Sequence, residues 1–489
     1  MKTAEVDVAI VGAGTAGLAA YREVRKSTQR IALIDGGPLG TTCARVGCMP
    51  SKLLIAPAEA RHRLQALPQF GIRSDAGIVD GAAVMRRIRS ERDRFVNFVL
   101  ESMRSFDPEH LVRACARFED PFTLRLKHVD ESANSSADLQ RVRAKRIILA
   151  TGSRPRIPQE LEAAGDRLIV SDDVFDWQDL PDSVAVFGAG VIGLELGQAL
   201  HRLGVRVHLF GREGALAGIS DPAIRACAIE TLGAELSMTL NLGNVKIERD
   251  ANGVVVQYND VATGVQTHRF DYLLATAGRK PNVDGLALEN SGLRLSANGV
   301  PEFDPLTLRA ADSHIFIAGD ANADRPVLHE AADEGRLAGD NAARYPDVLK
   351  RARHAPMGIV FSDPQIAFAG RRHAQLVAER IDFCVGEASF EDQGRARVML
   401  VNQGLLRVYA ERGSGILLGA EMIGPQHEHL AHLLAWAIQL QLGVADVLEL
   451  PFYHPVIEEG LRSALRDLLQ ALGMGPKPPP NCIDCGPGA

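Results

Sequence analysis

The hydrophobic pattern near the N-terminus predicts a strand, a helix and a second strand in close succession. Residues 6–11 are apolar apart from Asp7, which is typical of a buried strand. A helical apolar pattern follows at 18–24, and a second apolar run covers 30–34. Two buried strands on either side of one helix indicate a parallel β-α-β unit, and hence an α/β fold.

The same pattern is repeated in the second third of the chain, with a strand at 183–187, a helix at 194–203 and a strand at 205–210. A glycine-rich turn joins the first strand to the helix in both copies; the glycines are Gly12, Gly14 and Gly17, then Gly188, Gly190 and Gly193. Such a turn permits tight reversal, close approach of a pyrophosphate and helix–strand packing, and the helix N-terminus attracts phosphates. The first copy ends in Asp35, an acceptor for ribose hydroxyls. The repeat therefore predicts two dinucleotide sites.

The rest of the chain adds helices, strands and a polar loop. A long amphipathic helix is expected at 82–103 and a strand at 253–258. Strands at 404–409 and 415–422 precede helices at 427–440 and 457–472. The polar segment 128–140 is expected to be an exposed loop.

Composition and charge narrow the classes of function. The chain has 489 residues, 46% hydrophobic and 24% charged, which predicts about three or four domains. A net charge of −7 argues against nucleic acid or an anionic membrane as the main partner. No apolar run has transmembrane length, and the first strand begins almost at Met1, which leaves no room for a signal peptide. Since seven cysteines do not suggest a secreted disulfide scaffold, the cytoplasm is the expected location.

Cys43 and Cys48 lie five residues apart, shortly after the first glycine turn. A bent segment brings such a pair within disulfide distance. In a chain without secretory features, the pair favours a redox-active disulfide over a structural one, and two unlinked core cysteines are the alternative. The cysteines Cys115, Cys227 and Cys384 have no partner pattern and are expected to be buried.

Several further motifs follow in a fixed order along the chain. They are the cysteine segment 40–52, Ala150-Thr151-Gly152-Ser153-Arg154-Pro155, Gly278-Arg279-Lys280-Pro281-Asn282, Ala318-Gly319-Asp320, and Tyr453-His454-Pro455-Val456-Ile457-Glu458-Glu459. Together with the two glycine turns, these motifs extend to about Leu472. In this combination the chain resembles the FAD-dependent pyridine nucleotide–disulfide oxidoreductases, and among them most of all the dihydrolipoamide dehydrogenases.

The resemblance implies an α/β fold with two Rossmann-like dinucleotide-binding domains and a C-terminal α/β dimerisation domain. Its domains would be 1–152 for FAD binding, 153–280 for NAD(P) binding, 281–350 for a central FAD-contacting domain and 351–472 for dimerisation. The composition of residues 473–489 predicts a flexible Pro-rich tail with a Cys-x-x-Cys motif. FAD would stay bound at the first glycine turn, and NAD or NADP would exchange at the second. Members of the family are homodimers in which the partner's C-terminal domain completes each active site.

The resemblance also implies which residues contact the cofactors, besides the glycines and Asp35. They are Thr42, Lys52, Thr151, Gly152, Ser153, Glu195, Arg212, Gly278, Arg279 and Asp320. Asp320 would bind the ribityl chain of FAD. Lys52 would lie near the reactive nitrogen of the flavin, and Glu195 would pair with Lys52 beside the nicotinamide.

The family passes electrons between nicotinamide, flavin and a cysteine pair. By position, Cys48 would be the thiolate against the flavin, and Cys43 the thiol that attacks a substrate disulfide. His454 would be the base, because imidazole titrates near neutral pH, and Glu459 would orient it through the other ring nitrogen. The implied substrate is a small disulfide or dithiol, or a lipoyl-bearing protein, and no metal site is predicted.

The second nucleotide site departs from the pattern for NAD. The strand at 205–210 is followed by Gly211 and Arg212 and not by an acid. Loss of the acid removes repulsion of a 2′-phosphate, which the guanidinium can bind. NADP-using relatives often carry a second arginine six residues later, where this chain has Gly218. The fold alone favours NAD, whereas these residues slightly favour NADP, and the direction of electron flow stays open.

The tail is a second departure, because it carries Cys482 and Cys485. Large thioredoxin reductases and mercuric reductases have redox cysteines at the C-terminus. The tail cysteines would then shuttle electrons from the partner subunit's Cys43 to a protein disulfide, a low-molecular-weight disulfide or a metal ion. A disordered tail with incidental thiols is the alternative. A non-catalytic flavoprotein redox sensor is a hypothesis from another class, but it requires an inactive site, whereas every catalytic position is filled.

Overall fold

The structure, a computed structural model, describes residues 2–73, 77–129, 139–261 and 263–474. The chain divides into two units, each assembled from three separate stretches of sequence. The first unit consists of Met1–Pro50, Arg86–Arg156 and Gly278–Arg353, and the second of Ser51–Met85, Ile157–Ala277 and His354–Ala489. The sequence-based division into four domains and a tail is finer than this and stays a prediction.

A seven-stranded sheet is the frame of the first unit. Its strands in spatial order are Leu111–Val112, Ile31–Ile34, Lys2–Val11, Leu139–Leu149, Thr123–His128 and Ala114–Asp120, with Ile315–Ile317 paired in addition to Leu139–Leu149. Lys2–Val11 pairs in parallel with both neighbours, whereas the last two strands add an antiparallel edge. The strands predicted at 6–11 and 30–34 are confirmed, with Val8 paired to Ile31.

Two helices of the first unit pack on the same face of this sheet and cross closely. Thr15–Val24 and Leu328–Arg344 share one apolar core with strand residues such as Ile10. A Cβ atom at Gly335 would lie 2.2 Å from the carbonyl oxygen of Ala16, so the crossing requires a glycine.

A five-stranded parallel sheet surrounds the second glycine turn in the second unit. Its strands in spatial order are Ser237–Thr239, Arg206–Phe210, Ser183–Phe187, Tyr272–Ala275 and Leu168–Val170. The helices Val191–Arg202 and Pro222–Gly233 belong to this α/β region. An antiparallel sheet, whose strands are Val245–Asp250, Gly253–Asp260 and Gly264–Phe270, shares an apolar core with the parallel sheet.

The C-terminal part of the second unit is an antiparallel sheet covered by helices. The five strands in spatial order are Met357–Val360, Gln365–Gly370, Leu417–Gly424, Leu405–Glu411 and Phe383–Ser389. The helices His427–Gln439 and Glu459–Ala471 share its core. The other face of His427–Gln439 leaves Leu433 and Trp436 exposed.

The other α-helices connect these sheets or extend from them. They are Thr42–Val46, Cys48–Ala66, Gly81–Met103, His373–Ala378, Gly394–Val398 and Val444–Leu448, and the two remaining strands, Ser153–Pro155 and Arg279–Pro281, pair with each other. The helix predicted at 82–103 is thereby confirmed. In the part of the chain that the structure describes, no helix has both the length and the apolar character needed to cross a membrane.

Two predicted segments reach beyond the described residues. Residues 130–138 of the predicted loop 128–140 lie outside them, and so do residues 475–489 of the predicted tail, which include Cys482 and Cys485.

The prediction that the three remaining cysteines are buried is correct for Cys384 and wrong for Cys115, which is exposed. Cys115 lies between the buried Ala114 and Ala116 on one strand, and neighbouring side chains of a strand point to opposite faces. Cys227 is half-buried.

Candidate redox and nucleotide-binding sites

The first glycine turn has the geometry that its sequence predicts. A Cβ atom on Gly12 would lie 2.2 Å from the carbonyl oxygen of Ala150. A Cβ atom on Gly17 would lie 1.8 Å from the carbonyl oxygen of Gly12. Glycines are therefore required there for packing. Gly14 is the N-cap of the helix Thr15–Val24 and has open space beside it, which leaves the backbone accessible to a phosphate.

Asp35 follows the strand Ile31–Ile34 and lies against this turn. Its carboxylate accepts hydrogen bonds from the backbone N–H groups of Ala13 and Gly37, both at 2.6 Å. Two backbone donors fix the carboxylate next to the glycines, where the fold presents an acid to a ribose.

The strand Leu139–Leu149 leads directly to a polar cluster in the same unit. Ser153 donates a hydrogen bond of 2.6 Å to Asp320, and Arg279 Nε donates one of 2.8 Å to the Ser153 hydroxyl. The hydroxyl of Thr151 is buried and has no hydrogen-bond partner among the residues that the structure describes. A buried unpaired hydroxyl beside an open glycine turn fits a polar ligand such as the FAD that the resemblance implies.

Glu334 supports this polar cluster, and the sequence analysis did not predict its role. Its Oε2 accepts a hydrogen bond of 2.6 Å from the Gly319 N–H and one of 2.7 Å from Asn322, on either side of Asp320. Burial raises the pKa of Glu334 to about 7. An acidic residue on the inward face of the helix Leu328–Arg344, directly before Gly335, is the sequence signal that was available.

Cys43 and Cys48 lie on consecutive helices, Thr42–Val46 and Cys48–Ala66, separated by Gly47. Thr41, the N-cap, starts the first of them, with its side chain accepting a hydrogen bond from the Ala44 N–H. Both cysteines are free thiols; Cys43 is half-buried and Cys48 exposed. A hydrogen bond with the Cys48 side chain and burial together hold the pKa of Cys43 well above its ordinary value. The Cys43 thiol is therefore held in its protonated form by its hydrogen-bonded neighbour.

Lys52 and Glu195 form the ion pair that the resemblance implies. Lys52 Nζ lies 2.8 Å from Glu195 Oε2. Glu195 belongs to the helix Val191–Arg202, which follows the second glycine turn. Glu195 is buried, with 5% of its side chain exposed, and its Oε1 accepts a hydrogen bond of 2.9 Å from the Phe361 N–H. A buried carboxylate requires such partners to stay ionised. Phe361 was not recognised in the sequence.

The second glycine turn repeats the first. A Cβ atom on Gly188 would lie 2.3 Å from the carbonyl oxygen of Thr276, and one on Gly193 would lie 1.9 Å from the carbonyl oxygen of Gly188. Gly190, in contrast, has open space beside it. Gly190 is the N-cap of the helix Val191–Arg202. The second unit therefore also contains a phosphate-accepting helix N-terminus.

Gly211 and Arg212 follow the strand Arg206–Phe210. A Cβ atom at Gly211 would lie 2.9 Å from the Cβ atom of Ala189, so glycine here also has a packing reason that the sequence did not reveal. Arg212 is exposed, and its Nη2 lies 2.7 Å from Glu160 Oε1.

His454 and Glu459 meet as the resemblance implies. His454 Nδ1 lies 2.9 Å from Glu459 Oε1, and Glu459 Oε2 accepts a hydrogen bond from the Val456 N–H. Glu459 is buried, whereas 65% of the His454 side chain is exposed. With Nδ1 held by the carboxylate, Nε2 is the ring nitrogen left for proton transfer.

Two family models match most of the chain. The sequence model of the family described as pyridine nucleotide-disulphide oxidoreductase matches residues 6–335. The sequence model of the dimerisation domain of the same proteins matches residues 357–465. The chain belongs to this family. The family is FAD- and NAD(P)-dependent and its members are enzymes, so the predicted fold class and the prediction of a flavoprotein disulfide oxidoreductase are confirmed. The dimerisation domain indicates a homodimer.

The relatives of this oxidoreductase include more than one activity. It is 29% identical to dihydrolipoyl dehydrogenase of Geobacillus stearothermophilus, over 93% of this chain and 94% of that protein. It is 30% identical to mercuric reductase of Streptomyces lividans, over 92% of this chain and 93% of that protein.

Solved structures agree in fold. LpdA from Mycobacterium tuberculosis superposes with a TM-score of 0.80 at 23% identity, covering 94% of this chain and 99% of that chain. The HOCl-induced flavoprotein disulfide reductase RclA from Escherichia coli superposes with a TM-score of 0.77 at 20% identity, covering 94% of this chain and 99% of that chain.

Proposed function

We propose that the enzyme exchanges electrons between NAD(P)(H) and a dihydrolipoamide-type dithiol or its disulfide, with Cys43 and Cys48 as the redox pair. The observation that carries this proposal is the pair of free thiols on consecutive helices, linked by a hydrogen bond between the Cys43 and Cys48 side chains. The similarity to dihydrolipoyl dehydrogenases over more than nine-tenths of the chain supports the substrate class.

The residues of the first unit fit FAD as the bound cofactor. Gly12, Gly14 and Gly17 would hold its pyrophosphate, and Asp35 its adenosine ribose. The unpaired Thr151 hydroxyl and the Asp320 carboxylate supply further polar contacts. When bound, FAD supplies the means to relay an electron pair between a nicotinamide and the thiols.

The cysteines would act in turn when a disulfide is reduced. The Cys43 thiolate attacks one sulfur of the substrate disulfide, forming a mixed disulfide and releasing the other sulfur as a thiolate. Cys48 then attacks Cys43, which forms the Cys43–Cys48 disulfide and releases the second substrate sulfur. Two electrons pass to the substrate, and the same steps in reverse oxidise a dithiol.

His454 would hold the proton that these steps exchange. As imidazolium it gives the proton to the departing substrate thiolate, and as imidazole it takes one from the attacking thiol. Glu459 orients the ring through Nδ1. In the homodimer we assign each His454 to the active site of the partner subunit.

We further propose that the nicotinamide nucleotide is preferentially NADP(H), because Arg212 offers a guanidinium where NAD-specific sites have an acid. The use of a redox-active thiol pair fits a cytoplasmic enzyme, in which stable disulfides are rare.

Anaerobic reduction of the holoenzyme tests the redox pair. Wild-type enzyme reduced by NAD(P)H should show a long-wavelength thiolate–flavin absorption band and rapid turnover of lipoamide, with slower turnover of glutathione disulfide. Cys43→Ser should lose turnover but keep the band without any reductant, because Cys48 is left as a free thiolate. Cys48→Ser should lose both.

Two results would contradict this assignment. A band that persists in Cys48→Ser would show that Cys48 is not the charged thiol. A wild-type band without lipoamide turnover would keep the disulfide chemistry and reject the substrate.

A metal-ion reductase is the second candidate, because the chain is 30% identical to a mercuric reductase. It predicts that Hg(II) accelerates NADPH oxidation and that Cys482→Ser with Cys485→Ser abolishes this acceleration while lipoamide turnover is kept. Equal Hg(II) response in wild type and the double variant would reject a role for the tail cysteines.

A further inference from the structure

Residues 361–363 lie along one face of the helix Val191–Arg202. Glu195, Gln198 and Arg202, which are three and four residues apart on that helix, all bind this segment and are all nearly buried. Gln198 accepts a hydrogen bond from the Asp363 N–H and donates one to its carbonyl oxygen, both at 2.8 Å, and Arg202 Nη1 lies 2.8 Å from Asp363 Oδ2. Asp363 is thereby tied to the helix through its backbone and its side chain.

This attachment brings Phe361 to the Lys52–Glu195 ion pair. The Phe361 N–H donates a hydrogen bond of 2.9 Å to Glu195 Oε1, while Lys52 occupies the other carboxylate oxygen at 2.8 Å. Lys52 Nζ also lies 4.3 Å from the centre of the Phe361 ring. One residue thus contacts both members of the pair, the anion through its backbone and the cation through its ring.

We propose that Phe361 is a positioning residue for electron transfer, acting through Lys52. The inference rests on the proposed function and on the position near the reactive nitrogen of the flavin that the family resemblance implies for Lys52, where a positive charge favours negative charge on the reduced ring. A lysine side chain is long and flexible, and it samples many rotamers unless its neighbours restrict it.

Two partners restrict Lys52 here. Glu195 attracts the ammonium in one direction, and the face of the Phe361 ring attracts it in another through its quadrupole. The only other hydrogen bond that Lys52 Nζ makes among the described contacts goes to Ser51 Oγ at 3.4 Å, which is long. Loss of the ring would leave the ammonium held by the carboxylate alone.

Phe361→Leu tests the ring and leaves the backbone N–H that binds Glu195. The rate constant of flavin reduction by NAD(P)H, measured by anaerobic rapid mixing, should fall about 3- to 10-fold, which is the range expected for loss of a partly desolvated cation–π contact. The midpoint potential of the bound flavin should become more negative. Phe361→Tyr keeps the ring and should restore both values.

A double-mutant cycle with Lys52→Met decides whether the ring acts through the ammonium. If it does, adding Phe361→Leu to Lys52→Met should change the rate constant less than 2-fold. The midpoint potential of the flavin should then not change measurably. Equal effects of Phe361→Leu in both backgrounds would overturn the proposal, because they would show a general packing role.

Controls separate this inference from the proposed function. Each variant is compared for FAD content and thermal midpoint, and Phe361→Met replaces Phe361→Leu if the latter loses the cofactor. If NAD(P)H fails to reduce the flavin and the cysteine pair of the wild-type enzyme, the proposed function fails. If the wild type is reduced normally and the cycle shows no coupling, only the role of Phe361 fails.

Discussion

Arg212 lies where this fold reads the ribose of the second nucleotide, yet its guanidinium is already paired with Glu160 at 2.7 Å. Both side chains are largely exposed, so the pair is weak and can open for a phosphate. Gly211, in contrast, packs against Ala189 and does not accept a side chain without rearrangement. Selectivity between NAD and NADP is therefore expected to depend on Arg212.

Arg212→Ala should lower kcat/KM for NADPH about 10-fold, which corresponds to the loss of one charge-assisted hydrogen bond. The value for NADH should change less than about 2-fold, because NADH has no 2′-phosphate. Steady-state kinetics with both nucleotides measure this. Glu160→Gln is the matched control and should keep or improve the use of NADPH, since it frees the arginine. An equal loss for both nucleotides in Arg212→Ala would refute the assignment.

Some residue contacts in this protein can be predicted from the sequence and others cannot. The glycines of the two turns were predictable because their conformation and packing are set within one β-α-β unit. The contact of Lys52 with Glu195 spans 143 residues and came only from the family resemblance. Phe361 and Glu334 were missed, because their partners are brought to them by tertiary packing and no local pattern marks them. Cys115 was wrongly expected to be buried, since the alternation of its strand was not considered.

At the scale of elements, most helices and strands were recognisable from periodicity, and their ends were less so. The predicted helix at 457–472 begins at Glu459, and the predicted helix at 194–203 begins at Val191. Capping decides such ends, and the N-cap of the second helix is Gly190, a residue of the nucleotide turn. The close crossing of Thr15–Val24 and Leu328–Arg344 was not predicted, because it joins elements far apart in the sequence.

Gly335→Ala tests that crossing. The added methyl group would meet the Ala16 carbonyl oxygen at 2.2 Å, and such overpacking costs about 1–3 kcal/mol, which exceeds the gain in helix propensity of about 1 kcal/mol. Thermal unfolding should show a lower midpoint, and FAD should dissociate more easily because the first of these helices follows the glycine turn.

Gly197→Ala is the matched control. Gly197 also lies inside a helix, but a Cβ atom there would be at ordinary distances of 3.7 and 3.9 Å from Val207 and Val186. This variant should be neutral or slightly more stable. Destabilisation of both variants to the same degree would show that crossing geometry is not the cause.

At the scale of the whole molecule, two histidines predict a contribution to how stability depends on pH: His427, which is fully buried, and His208, which is half-buried. Burial lowers the pKa of His208 and of His427 to about 4. As the pH falls from about 6.5 to 4, the unfolded chain takes up protons on both residues before the folded chain does. These two histidines should therefore lower stability over this range, whereas Glu334, whose pKa is raised to about 7, contributes with the opposite sign down to about pH 4.5. For the fully buried His427 the loss approaches about 3 kcal/mol near pH 4.

Thermal melting between pH 7.5 and 4.5 measures this dependence. His427→Gln should make the decrease in midpoint on acidification distinctly smaller, since a fully buried histidine whose pKa is lowered to about 4 is removed. His432→Gln, an exposed histidine on the same helix, should leave the slope of the wild type unchanged. An identical slope in wild type and His427→Gln would contradict the prediction.

The way in which the chain passes between its two units has a consequence for synthesis on the ribosome. The first unit ends only at Arg353, and its strand Ile315–Ile317 and helix Leu328–Arg344 come from its third stretch. A nascent chain that has just exposed the first glycine turn still lacks these elements, as well as Asp320. The N-terminal nucleotide site therefore cannot be completed when its own fingerprint emerges. On the proposed function, we therefore expect the flavin to bind only after the chain has been translated through the helix Leu328–Arg344.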